Sequence, residues 1–93
     1  MIRSFNHTGL KRFWSTGSKA GIPAQMADRI RIRLLVLDDA TTVSDLNIQG
    51  YGLHQLKGQR KGEWSVRVSG NWRIVFRMDT PGEVTVVDLE DYH

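Results

Sequence analysis

No cysteine occurs in the 93 residues, so neither a disulfide nor a thiolate-bound zinc holds this chain together. No apolar run approaches the roughly 20 residues of a membrane span. The N-terminus "MIRSFNHTGLKRF" lacks the apolar core of a signal peptide. Both absences point to a soluble protein of a reducing cytoplasm. Repeats and low-complexity segments are missing as well, and a chain of this length builds one modest core, so a single domain over residues 1–93 is expected. There is no serine-centred nucleophile elbow, no P-loop and no GxGxxG. The three histidines show no HxH or HxxxH spacing, and Asp88, Glu90 and Asp91 do not sit in a calcium-type loop. Neither a metal nor an organic cofactor is therefore expected.

What is present is positive charge with an uneven distribution. Thirteen Lys and Arg oppose ten Asp and Glu, for a net charge of +3. From Lys57 to Arg77 six basic residues stand against one acid, Glu63, and are interleaved with Trp64, Trp72 and Phe76. A basic, aromatic segment suits a polyanion such as RNA or DNA. The acids gather instead at Asp38, Asp39 and Asp45 and at the C-terminus.

The periodicity changes halfway along the chain. "MIRSF" reads as a short strand. Thr8 is placed to cap a helix in which Leu10, Phe13 and Trp14 share a face. "STGSKAGIP" is a loop, and Pro23 suits the first turn of a second helix running to about Asp39. Met26, Ile30, Leu34 and Leu37 form its apolar stripe, with Arg29, Arg31 and Arg33 mostly on other faces. Beyond it, "LHQLKG", "EWSVRVS", "WRIVFRM" and "VTVVDLEDY" read as strands with period-two alternation, with a tight reversal at Ser69–Gly70–Asn71. The order β-α-α-β-β-β-β predicts an α+β fold: two N-terminal helices packed on a small, mainly antiparallel sheet.

The groups suited to chemistry are acid–base groups. His7 reads as a surface or capping residue. His54 and His93 titrate near neutrality, Tyr92 can donate a proton or a hydrogen bond, and arginines can stabilise an anion. Metal-free RNA cleavage uses such a set: a base for the ribose 2′-hydroxyl, fixed cations for the phosphorane, and an acid for the departing 5′-oxygen. Residue types alone leave a non-catalytic nucleic-acid-binding module open.

"YGLHQLKGQRKGEWSVRVSGNWRIVFRM", followed by the terminal "DYH", resembles the HigB-type toxins of bacterial toxin–antitoxin modules, within the RelE/ParE superfamily. The opening "MIRSF" and the "GIPA" before the long helix fit the same pattern, so the resemblance spans the chain. It implies a compact helix-on-curved-sheet domain that cuts messenger RNA in the ribosomal A site without metal and arrests translation. It further implies a HigA-type helix-turn-helix antitoxin as partner, with operator DNA contacted only through that complex. Carried over residue by residue, the catalytic positions are His54, Asp91, Tyr92 and His93, and the cationic positions Lys57 and Arg73. His54 and His93 form the acid–base pair with the order of roles left open; the terminal carboxylate and Asp91, which favour a charged His93, make His93 the choice for acid and His54 for base. Lys57 and His54 stand an odd number of residues apart, so in one ideal strand they face opposite ways. Arg60 and Lys61 form a candidate RNA-docking turn. Arg73 has a structural alternative, a salt bridge to an acid of the last strand. A ParE-like gyrase inhibitor shares the fold, but the "DYH" ending favours the ribonuclease.

Overall fold

The computed structural model describes residues 1–91. Two helices, α1 (Thr8–Thr16) and α2 (Ala27–Asp39), precede four strands: β1 (His54–Gln55), β2 (Glu63–Ser69), β3 (Trp72–Thr80) and β4 (Glu83–Asp91). Short 3-10 turns occupy Ala24–Met26, Val43–Leu46 and Gly58–Arg60. The strands lie in the order β1-β2-β3-β4, each antiparallel to its neighbour. Helices in the first half and a meander in the second give the α+β layering that the sequence pattern predicts.

Helix α1 starts one residue earlier than the composition suggests. His7, not Thr8, is the cap: its Nδ1 accepts the Leu10 amide at 3.0 Å. The helix stops at Gly17, whose φ of 80° is the left-handed conformation that glycine adopts without a Cβ clash. Gly9 lies on the backbone of Gly21; a Cβ on Gly9 would stand 2.1 Å from the Gly21 carbonyl oxygen. This close approach seats α1 against the loop that leads into α2. Pro23 opens that second unit, although a 3-10 turn precedes the regular helix.

Leu10 and Phe13 from α1 and Ile30, Leu34 and Leu37 from α2 are buried on one face of the sheet. Val66, Val68, Ile74, Phe76, Val84, Val87 and Leu89 meet them from the strands. Each such side chain contributes about 1.5–3 kcal/mol by leaving water, which makes this layer the main source of stability.

The "MIRSF" segment forms no full strand. It runs parallel to the first half of β4 through two isolated bridges, Ile2 to Val84 and Phe5 to Val87. There β4 bulges. Val75 pairs with Asp88 and Arg77 with Thr85, so β4 carries one extra residue. Val86 takes up the excess with a φ of 49°, a conformation strained for a β-branched side chain. Its amide donates to Ser4 Oγ at 2.8 Å, which ties the N-terminal segment to the bulge. Among the described residues no helix is long and apolar enough to cross a membrane.

Candidate active site on the open face of the sheet

Strand register sorts the polar residues. Residues directly opposite one another share a face. Trp64, Val66, Ile74, Phe76 and Leu89 occupy the helix-covered side. The opposite side carries three rows: Glu63 with Arg77; His54, Ser65, Val75 and Asp88; and Arg67, Arg73 and Glu90. This open face holds His54 and Arg73 in adjacent rows.

β1 is only two residues long, and His54 is exposed on it, opposite Ser65. The ladder continues through the Leu56 amide, which donates to the Glu63 carbonyl at 2.9 Å, and then ends. Lys57 lies past this end and leads into the Gly58–Arg60 turn. The odd spacing from His54 therefore imposes no opposite-face constraint on Lys57, because strand geometry has stopped. Lys57 and Lys61 are both exposed.

Arg73 is fixed by neutral partners. Its Nε donates to Ser65 Oγ at 2.8 Å and its Nη2 to the Gly52 carbonyl at 2.6 Å. Ser65 is fully buried, so this hydroxyl needs the arginine as much as it holds it. The register sets Glu90 opposite Arg73, as the salt-bridge alternative requires, but the Glu90 carboxylate accepts from Arg60 instead.

Arg60 changes role relative to the sequence reading. Its Nη2 donates to Glu63 Oε1 at 3.0 Å, and its Nη1 to Glu90 Oε1 at 2.8 Å. Two carboxylates thus embrace one guanidinium. The span from Glu63 on β2 to Glu90 on β4 crosses β3 diagonally at Val75, which is 2% exposed although it faces away from the main core. Hydrogen bonds from Arg60 hold the Glu90 carboxyl below the usual carboxylate range, and the paired carboxylates push the guanidinium further up. Arg60 ties the β1–β2 turn to the last strand, and Lys61 is left as the exposed cation of that pair.

Asp91 ends β4 opposite Trp72, in a row belonging to the other face from His54. Three strand spacings, about 14 Å, separate β4 from β1, with Arg73 on β3, one of the two strands between. Tyr92 and His93, the remaining catalytic candidates, lie outside the described residues. Among those described, no three His, Asp or Glu side chains group as a metal site.

The sequence analysis places Arg29 and Arg33 off the apolar stripe of the second helix and Arg67 in the basic segment, without naming any of the three as a site residue. Arg33 Nε donates to the Arg67 carbonyl at 2.7 Å, and its guanidinium carbon lies 4.4 Å from the centroid of the Tyr51 ring. Burial lowers its pKa, and the neighbouring Arg29 charge adds to the shift. The i, i+4 spacing of Arg29 and Arg33 was the available signal; that α2 meets the outer edge of β2 was not readable from it.

Comparison with known proteins agrees with this architecture. A solved YoeB-YefM complex from Staphylococcus aureus contains a chain that superposes with a TM-score of 0.62 at 18% identity, covering 100% of this chain and 98% of that one. A YoeB/ParE toxin from Agrobacterium tumefaciens superposes at 0.55 with 20% identity, over 96% of each chain. At those identities the likeness concerns the fold. In sequence, the endoribonuclease HigB of Proteus vulgaris is 48% identical over 93 residues, covering 100% of this chain and 100% of that protein. The family model for the RelE-like toxin HigB of type II toxin–antitoxin systems matches residues 3–93. With the family model spanning residues 3–93 and 48% identity to a relative over 93 residues, this chain belongs to the HigB family of RelE-like toxins.

Proposed function

We propose that this toxin is an endoribonuclease that cleaves messenger RNA in the ribosomal A site, without metal, by acid–base attack of the ribose 2′-hydroxyl. The observation that carries the reading is His54, exposed on the open face next to the row of Arg73, a guanidinium fixed by Ser65 and Gly52. A titratable base beside a positioned cation is the minimum such a reaction needs. The relative named endoribonuclease HigB supports the same chemistry.

In this mechanism His54 removes the 2′-hydroxyl proton. The 2′-oxygen attacks phosphorus, and the extra negative charge of the phosphorane is met by Arg73 and Lys57. The bond from phosphorus to the 5′-oxygen then breaks, and that oxygen takes a proton from His93. The products are a 2′,3′-cyclic phosphate and a free 5′-hydroxyl. Tyr92 orients the phosphate or stacks on a base, and Asp91 holds His93. DNA, lacking the 2′-hydroxyl, is not a substrate.

As a toxin of a toxin–antitoxin system, the protein has an antitoxin as its partner. Our reading specifies a HigA-type helix-turn-helix protein that brings the toxin to operator DNA, and a cytoplasmic location beside the ribosome. Primer extension on a defined messenger RNA, with and without ribosomes, tests the whole scheme. Cleavage on programmed ribosomes that disappears in His54→Ala and His93→Ala is the expected result. Ribosomal cleavage that survives both substitutions would overturn the mechanism, and a folded, toxic protein that cuts no RNA would overturn the function.

A further inference from the structure

Among the described residues, four arginines sit within ion-pair distance of a carboxylate. Arg3 pairs with Glu83, Arg31 with Asp28, Arg60 with Glu63 and Glu90, and Arg77 with Asp79. Like Arg12 and Arg73, the arginines Arg29, Arg33 and Arg67 have no carboxylate partner among the described residues. Arg33 is held by the Arg67 carbonyl and the Tyr51 ring, and Arg29 Nη1 reaches the Val68 carbonyl at 3.5 Å. Carbonyls and a ring face fix the position of a guanidinium without cancelling its charge.

These arginines are also close together. Arg33 Nη1 donates to the Arg29 carbonyl at 3.4 Å, one helical turn away. Arg67 is exposed and stands directly opposite Arg73 on the open face. Like charges opposed across strands are unfavourable, and so are like charges one turn apart on a helix. Folding alone does not require this concentration: a neutral amide would satisfy the same edge carbonyls of β2 at residues 67 and 68. A polyanion lying along the arginines would relieve the repulsion.

We propose that Arg29, Arg33 and Arg67 form a phosphate-binding track that grips the substrate RNA strand beyond the scissile bond. The track starts beside Arg73 and His54 on the open face, turns around the outer edge of β2, and ends on α2. Its continuity with the catalytic row identifies the occupant as the backbone of the strand being cut. The proposal rests on the ribonuclease reading above.

The test uses the non-cleaving His54→Ala protein and fluorescence anisotropy with two single-stranded RNA oligomers, of about four and about twelve nucleotides. Arg29→Gln with Arg33→Gln keeps donors for the β2 carbonyls and removes both charges. The expected result is an affinity for the longer oligomer lower by about tenfold or more, with a log–log salt slope reduced by about 0.7 per lost phosphate contact. The shorter oligomer should bind as before. Arg33→Lys should retain most of the long-oligomer affinity, whereas a purely structural role for Arg33 would give a loss that tracks thermal stability instead. Equal losses for both oligomers or an unchanged salt slope would overturn the track. The two readings separate cleanly. A wild-type protein that cuts no RNA but shows the length-dependent defect refutes the ribonuclease alone, while normal cleavage without length dependence refutes the track alone.

Discussion

Arg60 binds Glu90 across the full width of β3, through hydrogen bonds of 2.8 and 2.5 Å, from a turn thirty residues earlier in the chain. Glu63 takes the remaining side of the same guanidinium. The contact joins the segment that carries Lys57 and Lys61 to the strand that leads into the C-terminal catalytic candidates.

Removing Arg60 strands two carboxylates that are only 23% and 25% exposed. The guanidinium itself is 39% exposed, so solvent screens part of the gain. Arg60→Ala should cost about 1–2 kcal/mol, read as a lower urea midpoint. It should also slow cleavage, because the turn and the last strand lose their tether. An unchanged midpoint would show that the ion group contributes nothing net.

Glu90 gives stability a pH dependence of defined sign. Its folded-state pKa is depressed by Arg60, so its contribution is present above the ordinary carboxylate value of 4.5 and is lost as pH falls through the depressed value. The stability gap between wild type and Glu90→Gln should therefore be widest near neutrality and shrink in acid below 4.5. Urea titrations across that range check it, and a gap that widens in acid would contradict the assignment.

Gly9→Ala should be severely destabilising. The new methyl would meet the Gly21 carbonyl oxygen at 2.1 Å, and backbone on both sides leaves no flexible side chain to give way. A loss of about 3 kcal/mol is expected from the forced shift. Thermal melting of the substituted protein is the measurement, and a near-native midpoint would mean that α1 and its following loop reseat freely.

His54 and Arg73 should separate activity from stability. His54 is exposed, so His54→Ala should melt like wild type while cleavage falls by about 10²–10⁴-fold. Arg73→Ala orphans the fully buried Ser65 hydroxyl, and should lose about 1–3 kcal/mol as well as activity. Arg73→Ala combined with Ser65→Ala should recover part of the stability but none of the cleavage.

His7→Ala should cost about 1 kcal/mol through loss of the cap at Leu10, and His7→Asn should retain most of it. Circular dichroism melts of the two variants compare the effects directly.

Much of the architecture was legible because it depends on local rules. Met26, Ile30, Leu34 and Leu37 recur at helical spacing, and all four are buried. The alternation in "EWSVRVS" and "WRIVFRM" names the helix-covered face correctly, since period two admits only one way to bury Val66, Val68, Ile74 and Phe76. The departures have equally physical causes. "MIRSF" contributes two bridges rather than a strand because the bulge at Val86 bends β4 beside it. Val75 and Ser65 are buried on the nominally open face, where alternation predicts exposure, and the Ser65 hydroxyl is taken up there by Arg73 from the neighbouring strand.

The sequence by itself determined the layers, the helix stripe, the strand alternation and the residue types able to move protons, since each follows from spacing along the chain. Only the tertiary structure decided which charges are used up and which stay open. Arg60 and Arg67 are indistinguishable as letters in a basic segment. Folding brings Glu63 and Glu90 to the first, and opposes the second to Arg73 with no carboxylate beside it among the described residues. Charge neutralisation depends on distances of a few ångströms between residues far apart in the chain, which only the packed sheet fixes.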